Sequence, residues 1–127
     1  DRNQLFDEAG QWVEWTSGSS NPSNTSINGS QQLQFYATSS ADSEGVELPV
    51  ANFSALEVGK SYTVKVQLDA EDTGTEVFVS LGGAESAGQR VTTTLAYYDF
   101  TVTPINTTGN LRVYTKEDYD GKWILKK

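Results

Sequence analysis

Four aromatic residues occupy strand positions where the surrounding pattern calls for a polar side chain: Tyr36, Phe78, Tyr97 and Tyr114. An aromatic ring on a solvent-facing strand surface can stack on the flat apolar face of a ligand such as a sugar, while polar neighbours donate and accept hydrogen bonds. The alternative is that these rings are ordinary strand residues covered by loops, and for Tyr36 and Tyr97 we favour that alternative.

The residue types on which most catalytic sites depend are missing. The chain contains no Cys and no His, which excludes thiolate nucleophiles, zinc–sulfur sites and Ser-His-Asp or Cys-His chemistry within it. There are 17 acidic residues, but they are scattered and single out no carboxylate pair with the spacing that a glycosidase needs. We therefore expect no catalytic residues and no enzyme activity.

The charge balance argues against two classes of partner. With 9 basic and 17 acidic residues the net charge is −8, which is unsuited to nucleic acid and to anionic membrane surfaces. No apolar run approaches the roughly 20 residues that cross a bilayer, so we expect no membrane insertion. The abundance of Ser, Thr, Asn, Gln and Gly favours an extracellular or surface-exposed protein (secreted, cell-surface or virion). Because the chain begins with Asp1, we expect a processed form, an excised domain or part of something longer.

Alternation of apolar and polar residues with a period of two indicates strands along the whole chain. The clearest case is residues 61–69, where Tyr62, Val64, Val66 and Leu68 alternate with polar side chains. Further strands are predicted at 33–37, 76–81, 97–102, 111–114 and 122–126. No stretch shows a sustained helical period, and the only helical turn that we predict covers residues 53–56.

Clusters of Ser, Asn, Asp, Gly and Pro predict the connections between these strands. Loops are expected at 17–30, at 69–75 and at 104–110, and Gly82-Gly83 opens another. The segment 118–121, Asp-Tyr-Asp-Gly, looks like the start of a calcium loop but lacks the later ligands and the closing Glu. We interpret it as a turn before the last strand.

Eight to ten short strands, each with one apolar and one polar face, predict an all-β fold: a jelly-roll β-sandwich of two antiparallel sheets. A length of 127 residues is typical of one domain. We therefore predict a single β-sandwich domain over residues 1–127.

Several short motifs occur in a recognisable order. The most distinctive is Leu56-Glu57-Val58-Gly59-Lys60-Ser61-Tyr62-Thr63-Val64. The others are Asn3 to Glu8, Trp15-Thr16, Gly29 to Ala37, Gly45 to Pro49, Val77 to Gly82, Tyr98 to Thr103 and Gly109 to Val113. In this order they resemble the jelly-roll carbohydrate-binding modules of families 4, 9, 16 and 22, which have a galactose-binding-like β-sandwich.

This resemblance implies a non-catalytic module that binds a polysaccharide or a cell-surface glycan on the concave sheet of the sandwich. Strands at 75–81, 90–95 and 110–115 should share that sheet, with the outward residues Glu76, Phe78, Ser80, Arg90, Thr92, Thr94, Arg112 and Tyr114. The predicted ligand-binding residues are Phe78, Ser80, Thr92, Arg112 and Tyr114, together with Trp12. We expect Trp15 and Trp123 in the core, and Gln34, Tyr36, Tyr97 and Asp99 on the opposite, convex face.

The resemblance also implies a structural calcium between an acid of the opening segment and an Asp of the last strand. Asp7 or Glu8 supplies the first carboxylate, but Leu125 or Lys126 stands where the family has the Asp. Calcium takes six to eight oxygen ligands, so one carboxylate with carbonyls would bind it weakly. We therefore predict no metal site and no cofactor, and a weak structural calcium is the alternative left open.

A second hypothesis comes from a different class of protein. The chain could be a structural display domain of a virion, a fibre or a cell-surface assembly, within a larger parent protein and without a dedicated ligand. The absence of Cys, His and Met and the polar loops motivate this hypothesis. The sequence does not distinguish it from glycan binding, and it does not identify a glycan.

Overall fold

The computed structural model describes residues 13–16, 26–27, 33–36, 44–52, 55–70, 75–116 and 122–126, and the structural statements that follow concern these residues. Several predictions lie outside them, in whole or in part. These are the opening acids Asp7 and Glu8, the predicted ligand-binding residue Trp12, the turn at 118–121, the first half of the helical turn at 53–56, and most of the loops at 17–30 and 69–75.

Alternating sequence forms strands at each of the predicted positions, and every strand pair is antiparallel. The described residues form eleven strands: β1 (Val13–Thr16), β2 (Ser26–Ile27), β3 (Leu33–Tyr36), β4 (Glu44–Leu48), β5 (Tyr62–Ala70), β6 (Thr75–Leu81), β7 (Ala84–Glu85), β8 (Gln89–Val91), β9 (Ala96–Val102), β10 (Leu111–Thr115) and β11 (Lys122–Lys126). The predicted all-β class is confirmed.

The strands form two sheets. Sheet A has the order β1-β4-β10-β6-β7, and β8 pairs with a second stretch of β6, while sheet B has the order β2-β3-β11-β5-β9. Apart from β2–β3 and β6–β7, neighbours along both sheets are far apart in sequence, as in the crossed connections of a jelly roll. The predicted jelly-roll sandwich of two antiparallel sheets is confirmed, and so is the placement of β6, β8 and β10 in one sheet.

The core lies between the inward faces of the two sheets. Sheet A contributes Val46, Leu48, Val77, Val79, Leu81, Val91, Leu111 and Val113, and sheet B contributes Val66, Leu68, Phe100 and Val102. Each fully buried Val, Leu or Phe side chain stabilises the fold by about 1.5–3 kcal/mol. Because side chains alternate along a strand, burying this set commits the intervening residues to the outer faces.

The Gly82-Gly83 turn joins β6 to β7 with two residues. Both glycines have positive φ angles, 57° and 79°, which is the geometry of the tightest hairpins and costs a glycine little. The Gly82 N–H donates to the Gly109 carbonyl at 3.1 Å, which fixes the turn against the loop before β10. The turn thereby sets Glu85 opposite Ser80, which matters for the surface described below.

One loop prediction and one helix prediction need correction. The segment 17–30 is not entirely loop, because Ser26 and Ile27 pair with Gln34 and Leu33 of β3. The helical turn is a 3₁₀ helix at Val50–Asn52, before the predicted 53–56, and Ala55 and Leu56 are not helical. Among the described residues no helix has the length and apolar character to cross a membrane.

Candidate functional site

Four strands of sheet A align one row of residues across the sheet. Trp15 of β1 pairs with Gly45 of β4, Gly45 with Tyr114 of β10, and Tyr114 with Phe78 of β6. Paired residues project from the same face of a sheet, so the three rings share the face opposite the buried Val46, Val79 and Val113. We call this face, with the alternate residues of the same strands, the outer face of sheet A.

The three rings of this row are in contact. The centroids of Trp15 and Tyr114 lie 5.1 Å apart with an interplanar angle of 63°, an edge-to-face arrangement. Those of Phe78 and Tyr114 lie 6.1 Å apart at 24°, a stacked arrangement. Both separations fall in the range where aromatic pairs attract each other. Tyr114 is therefore the centre of the row and the other two rings flank it.

Gly45 is the reason that the Trp15 and Tyr114 rings can meet. A Cβ at this position would collide with the carbonyl oxygen of Val113 and would lie 2.6 Å from Cα and 2.8 Å from Cβ of Tyr114. β4 runs between β1 and β10, so any side chain here would stand between the two rings. A glycine leaves that space to the rings themselves.

A second row contains the polar groups nearest Trp15. Glu47 pairs with Arg112, and the Arg112 Nε donates to Glu47 Oε1 at 3.0 Å. Asn110 Nδ2 donates to the same oxygen at 3.1 Å, and Asn110 Oδ1 accepts the Val50 N–H at 2.9 Å. The Arg112 guanidinium carbon lies 4.5 Å from the Trp15 ring centroid. Arg112 is thus held between a carboxylate and an indole.

A matching arrangement surrounds Phe78. Lys116 Nζ lies 2.6 Å from Glu85 Oε1 and 4.4 Å from the Phe78 ring centroid, and the Tyr114 hydroxyl donates to Glu85 Oε2. Burial raises the pKa of Tyr114 above its ordinary value, and the hydrogen bond to Glu85 raises it further. Burial alone would raise the pKa of Glu85, but hydrogen bonds from Lys116 and Tyr114 and the charge of Lys116 lower that pKa overall.

The structure brings four of the six predicted ligand-binding residues together. Phe78, Ser80 and Arg112 are half-buried on the outer face of sheet A. Tyr114 is on the same face but only 4% exposed, so the expectation of an open Tyr114 ring is wrong: Trp15, Phe78 and Glu85 surround it. It can support a binding surface but presents little surface of its own.

Of the other two predicted residues, Thr92 is not part of this cluster and Trp12 cannot be placed. Thr92 follows the end of β8, and its N–H donates to the Tyr98 hydroxyl, which belongs to a strand of sheet B, at 3.3 Å. Its hydroxyl accepts from Thr94 N–H at 3.2 Å, which closes a local turn. Neither Thr92 nor Thr94 lies on a strand of sheet A, and Trp12 lies outside the described residues. For all six residues, a role in ligand binding stays a prediction.

Part of the cluster was not predicted from the sequence. The prediction that Trp15 belongs to the core is wrong, because its register places it beside Tyr114 on the outer face, where it is half-buried. Val13, two residues earlier on the same side of β1, is 46% exposed. The local sequence carries no signal that would have shown this. Trp12 and Val13 are adjacent apolar residues, so a period of two allows either face of the strand to be the buried one.

The outer face of sheet B carries a single described aromatic with a large exposed surface. Tyr97 is 61% exposed, and Lys65 Nζ lies 5.6 Å from its ring centroid and 3.5 Å from Asp99 Oδ1. The prediction that Tyr97 and Asp99 lie on the sheet opposite Phe78 is confirmed. Gln34 and Tyr36 belong to β3, which is also in sheet B.

No group of three or more acidic side chains that could hold a metal ion occurs among the described residues. The predicted calcium alternative involves Asp7 or Glu8, which lie outside this part of the chain. The calcium alternative therefore stays a prediction, and chelation tests it.

Comparison with known proteins supports the fold and leaves the family open. No family model and no curated protein matches the chain. The apo form of the carbohydrate-binding module CBM1 of BiXyn10A superposes with a TM-score of 0.68 at 16% identity, covering 95% of this chain and 91% of that one. CBM29_1, a family 29 carbohydrate-binding module from Piromyces equi, gives 0.60 at 15% identity, covering 92% and 77%.

Both of these structures are carbohydrate-binding modules, so the predicted resemblance to such modules is confirmed at the level of the fold. At identities of 16% and 15%, the superpositions show a shared β-sandwich fold. They do not identify a ligand for this chain. The narrower assignment to families 4, 9, 16 and 22 stays a prediction.

Proposed function

We propose that this chain is a non-catalytic carbohydrate-binding module whose ligand lies on the outer face of sheet A. The observation that carries the proposal is the aromatic row, in which the half-buried rings of Trp15 and Phe78 flank the buried Tyr114. Partly exposed rings fixed by a buried one form a rigid apolar surface with polar groups beside it, as a sugar requires. The likeness of the fold to two carbohydrate-binding modules supports the same function.

The row runs across the strands, so an extended ligand would lie perpendicular to them. Trp15 and Phe78 stand on β1 and β6, which are separated by β4 and β10. With neighbouring strands about 4.8 Å apart, the surface spans several sugar rings rather than one. A shallow surface of this kind orders few groups, so each site should bind weakly, and several copies in one protein would bind more tightly.

The charges on this face favour an uncharged glycan. Arg112 is paired with Glu47 and Lys116 with Glu85, and Arg90 stands opposite Glu76 in the register of β8 and β6. Among the described residues this face therefore carries balanced charge, although the whole chain has a net charge of −8. A carboxylated sugar would meet no surplus of positive charge here and would be repelled by the rest of the protein. We infer a neutral polysaccharide such as a β-glucan, a xylan or a mannan.

The carboxylates on this face are suited to binding rather than to glycoside hydrolysis. A general acid must hold its proton near neutral pH, which requires a raised pKa. The Glu85 pKa is lowered, and the Glu47 Oε1 oxygen already accepts hydrogen bonds from Arg112 and Asn110. Absence of catalysis and an extracellular or surface location both remain part of the proposal.

Affinity electrophoresis tests the function. Native gels that contain β-glucan, xylan or mannan should retard the protein, and gels that contain polygalacturonate at the same concentration should not. Trp15→Ala and Phe78→Ala should each reduce retardation at least about tenfold, the equivalent of losing one stacked ring contact of ~1.5 kcal/mol. Tyr97→Ala, on the outer face of sheet B, is the matched control and should migrate like the wild type.

Two results would count against the proposal. Retardation by none of the polysaccharides would remove the functional claim and would favour the display-domain hypothesis. Loss of retardation in Tyr97→Ala but not in Phe78→Ala would keep glycan binding but would move the site from sheet A to sheet B. Far-ultraviolet circular dichroism of each variant separates lost binding from lost folding.

A further inference from the structure

We infer that Lys116 competes with the ligand for Phe78, because its ammonium occupies the ring face on which a sugar would stack and must leave before the sugar can bind. The inference rests on the proposed function, since it concerns the same surface. It adds a displaceable side chain that lowers the affinity for the ligand and does not itself contact the bound ligand.

The competition follows from the position of the Lys116 ammonium. Its Nζ lies 4.4 Å from the Phe78 ring centroid, over the ring. A pyranose that stacks on an aromatic ring places its C–H groups over the same region, so cation and sugar cannot share that face. The Phe78 ring also packs against Tyr114 at 6.1 Å, which holds the ring in place. Lys116 is therefore the group that must move.

Lys116 is free to move because its anchor is weak. The side chains of Lys116 and Glu85 are 43% and 37% exposed, and exposed ion pairs contribute little net stability. Lysine also carries its charge on a flexible four-carbon stem. A swing of this side chain into solvent costs one cation–π contact and one screened ion pair, and both losses are small.

Arg112 makes the contrasting contact at the other end of the row. Its guanidinium carbon lies 4.5 Å from the Trp15 ring, almost the same distance as Lys116 from Phe78. Its carboxylate partner Glu47 is only 17% exposed and also accepts a hydrogen bond from Asn110. Arg112 is thus held against one face of Trp15 and stays there, so a ligand would contact the part of the half-buried Trp15 ring that Arg112 leaves exposed. Lys116, in contrast, is a removable cover.

Substitution of Lys116 should therefore strengthen binding. Without the ammonium, the ligand no longer displaces a cation–π contact, and an exposed contact of this type corresponds to about a two- to fivefold change in affinity. Lys116→Ala and Lys116→Gln should both tighten binding to the neutral polysaccharide by that factor. Added salt screens the Lys116–Glu85 pair, so wild-type affinity should rise slightly with ionic strength, and Lys116→Ala should show no such rise.

The ligand-free contact can be tested by itself. Ring currents shift protons over an aromatic face upfield, so the Lys116 Cε protons should resonate upfield of those of the other lysines in the free protein. Phe78→Ala should return them to ordinary values. An ordinary shift in the wild type would show that Lys116 does not cover the ring and would overturn the inference without touching the proposed function.

The binding arm uses retardation on the neutral polysaccharide that the wild type recognises best, with Lys65→Ala as the control. Lys65 makes the equivalent cation–π contact with Tyr97 on sheet B, so its loss should leave affinity unchanged. Tighter binding of both Lys116 variants, with unchanged Lys65→Ala, supports the inference. Weaker binding would mean that Lys116 contacts the ligand, and unchanged binding would mean that it does not compete; either result overturns it. Failure of every variant to bind any polysaccharide would overturn the proposed function and the inference together.

Discussion

The outer faces of the two sheets each carry an aromatic ring beside a lysine and a carboxylate, yet only one of them has the character of a binding surface. On sheet B, Tyr97 stands 61% exposed with Lys65 and Asp99. On sheet A, Phe78 stands with Lys116 and Glu85, but it also stacks on a buried Tyr114 that packs against Trp15. The more exposed ring, Tyr97, thus has the fewer partners. We assign the ligand to sheet A because several partly buried aromatic and polar side chains converge on its outer face.

The difference has a structural origin in Gly45. On sheet A the strand between Trp15 and Tyr114 presents no side chain in that row, so two rings from non-adjacent strands come into contact. On sheet B the residue opposite Tyr97 is Gln67, a side chain of ordinary length, so Tyr97 has no described ring next to it. Beyond Gln67 the row continues with Lys126, so this row of sheet B brings no second ring toward Tyr97.

Substitution of Gly45 should have the largest effect on stability and on binding by sheet A. Gly45→Ala places a Cβ against the Val113 carbonyl and the Tyr114 backbone, which are not free to move aside. Overpacking of this type costs about 1–3 kcal/mol or more, and urea unfolding measures it. The same variant should lose polysaccharide retardation, because the row of rings is forced apart.

Gly59→Ala is the matched control for that substitution. An added Cβ at Gly59 meets no atom within 4 Å, although its φ of +85° is unfavourable for alanine. It should cost about 1 kcal/mol through backbone strain alone and leave binding unchanged. If Gly45→Ala were no more costly than Gly59→Ala, β4 would not pack against β10 as closely as the structure shows.

Removing the Tyr114 hydroxyl should have an intermediate effect. Tyr114→Phe keeps the ring that supports Trp15 and Phe78 but removes the hydrogen bond to Glu85. Loss of one such bond costs about 0.5–1.5 kcal/mol, measurable as a lower urea midpoint with an unchanged slope. Polysaccharide binding should persist, because the ring remains. Loss of binding with an intact fold would show that the hydroxyl itself contacts the ligand.

The raised pKa of Tyr114 predicts the pH window in which this contact is lost. Burial and Glu85 hold the proton on Tyr114 in the folded state above the unfolded pKa of about 10. The unfolded chain therefore binds fewer protons above that pH, and stability falls as the pH rises. The wild type should lose stability more steeply than Tyr114→Phe above about pH 10. Parallel curves for the two proteins would contradict the buried hydrogen bond.

Chelation should have the smallest effect on stability. It tests whether a bound metal ion helps to stabilise the two sheets or whether side-chain packing is enough. Leu125 or Lys126 stands where the family resemblance places a calcium-binding carboxylate. We therefore predict the same melting temperature with and without EDTA, since no ligand linkage would be lost. A fall of several degrees that calcium reverses would show a metal site that includes residues outside the described part of the chain.

Much of the fold could be predicted from local pattern. The alternation of Tyr62, Val64, Val66 and Leu68 specifies a strand and its buried face without any knowledge of its neighbours. The same reasoning places Phe78 and Arg112 outward, because their strand neighbours are apolar. The glycine pair at 82–83 specifies a tight turn for the same local reason.

The rest of the candidate site depends on pairing between distant segments. Tyr114 is outward as its pattern predicts, but its burial comes from Trp15 and Phe78, which lie far from it in sequence. The prediction of a core position for Trp15 fails because the period of β1 fits either face. Thr92 is predicted on a strand, but that strand ends at Val91. Pairing and register, which no local pattern encodes, decide all three positions.

Chemical-shift mapping with a neutral oligosaccharide tests the central claim most directly, because one titration monitors both faces. Amide and side-chain resonances of the labelled protein are followed as an oligomer of the polysaccharide that causes retardation is added. We predict that the Trp15 indole, Ser80 and Arg112 shift progressively while Tyr97, Lys65 and Thr101 do not. Shifts confined to Tyr97 and its neighbours, or spread equally over both faces, would contradict the assignment of the ligand to the outer face of sheet A.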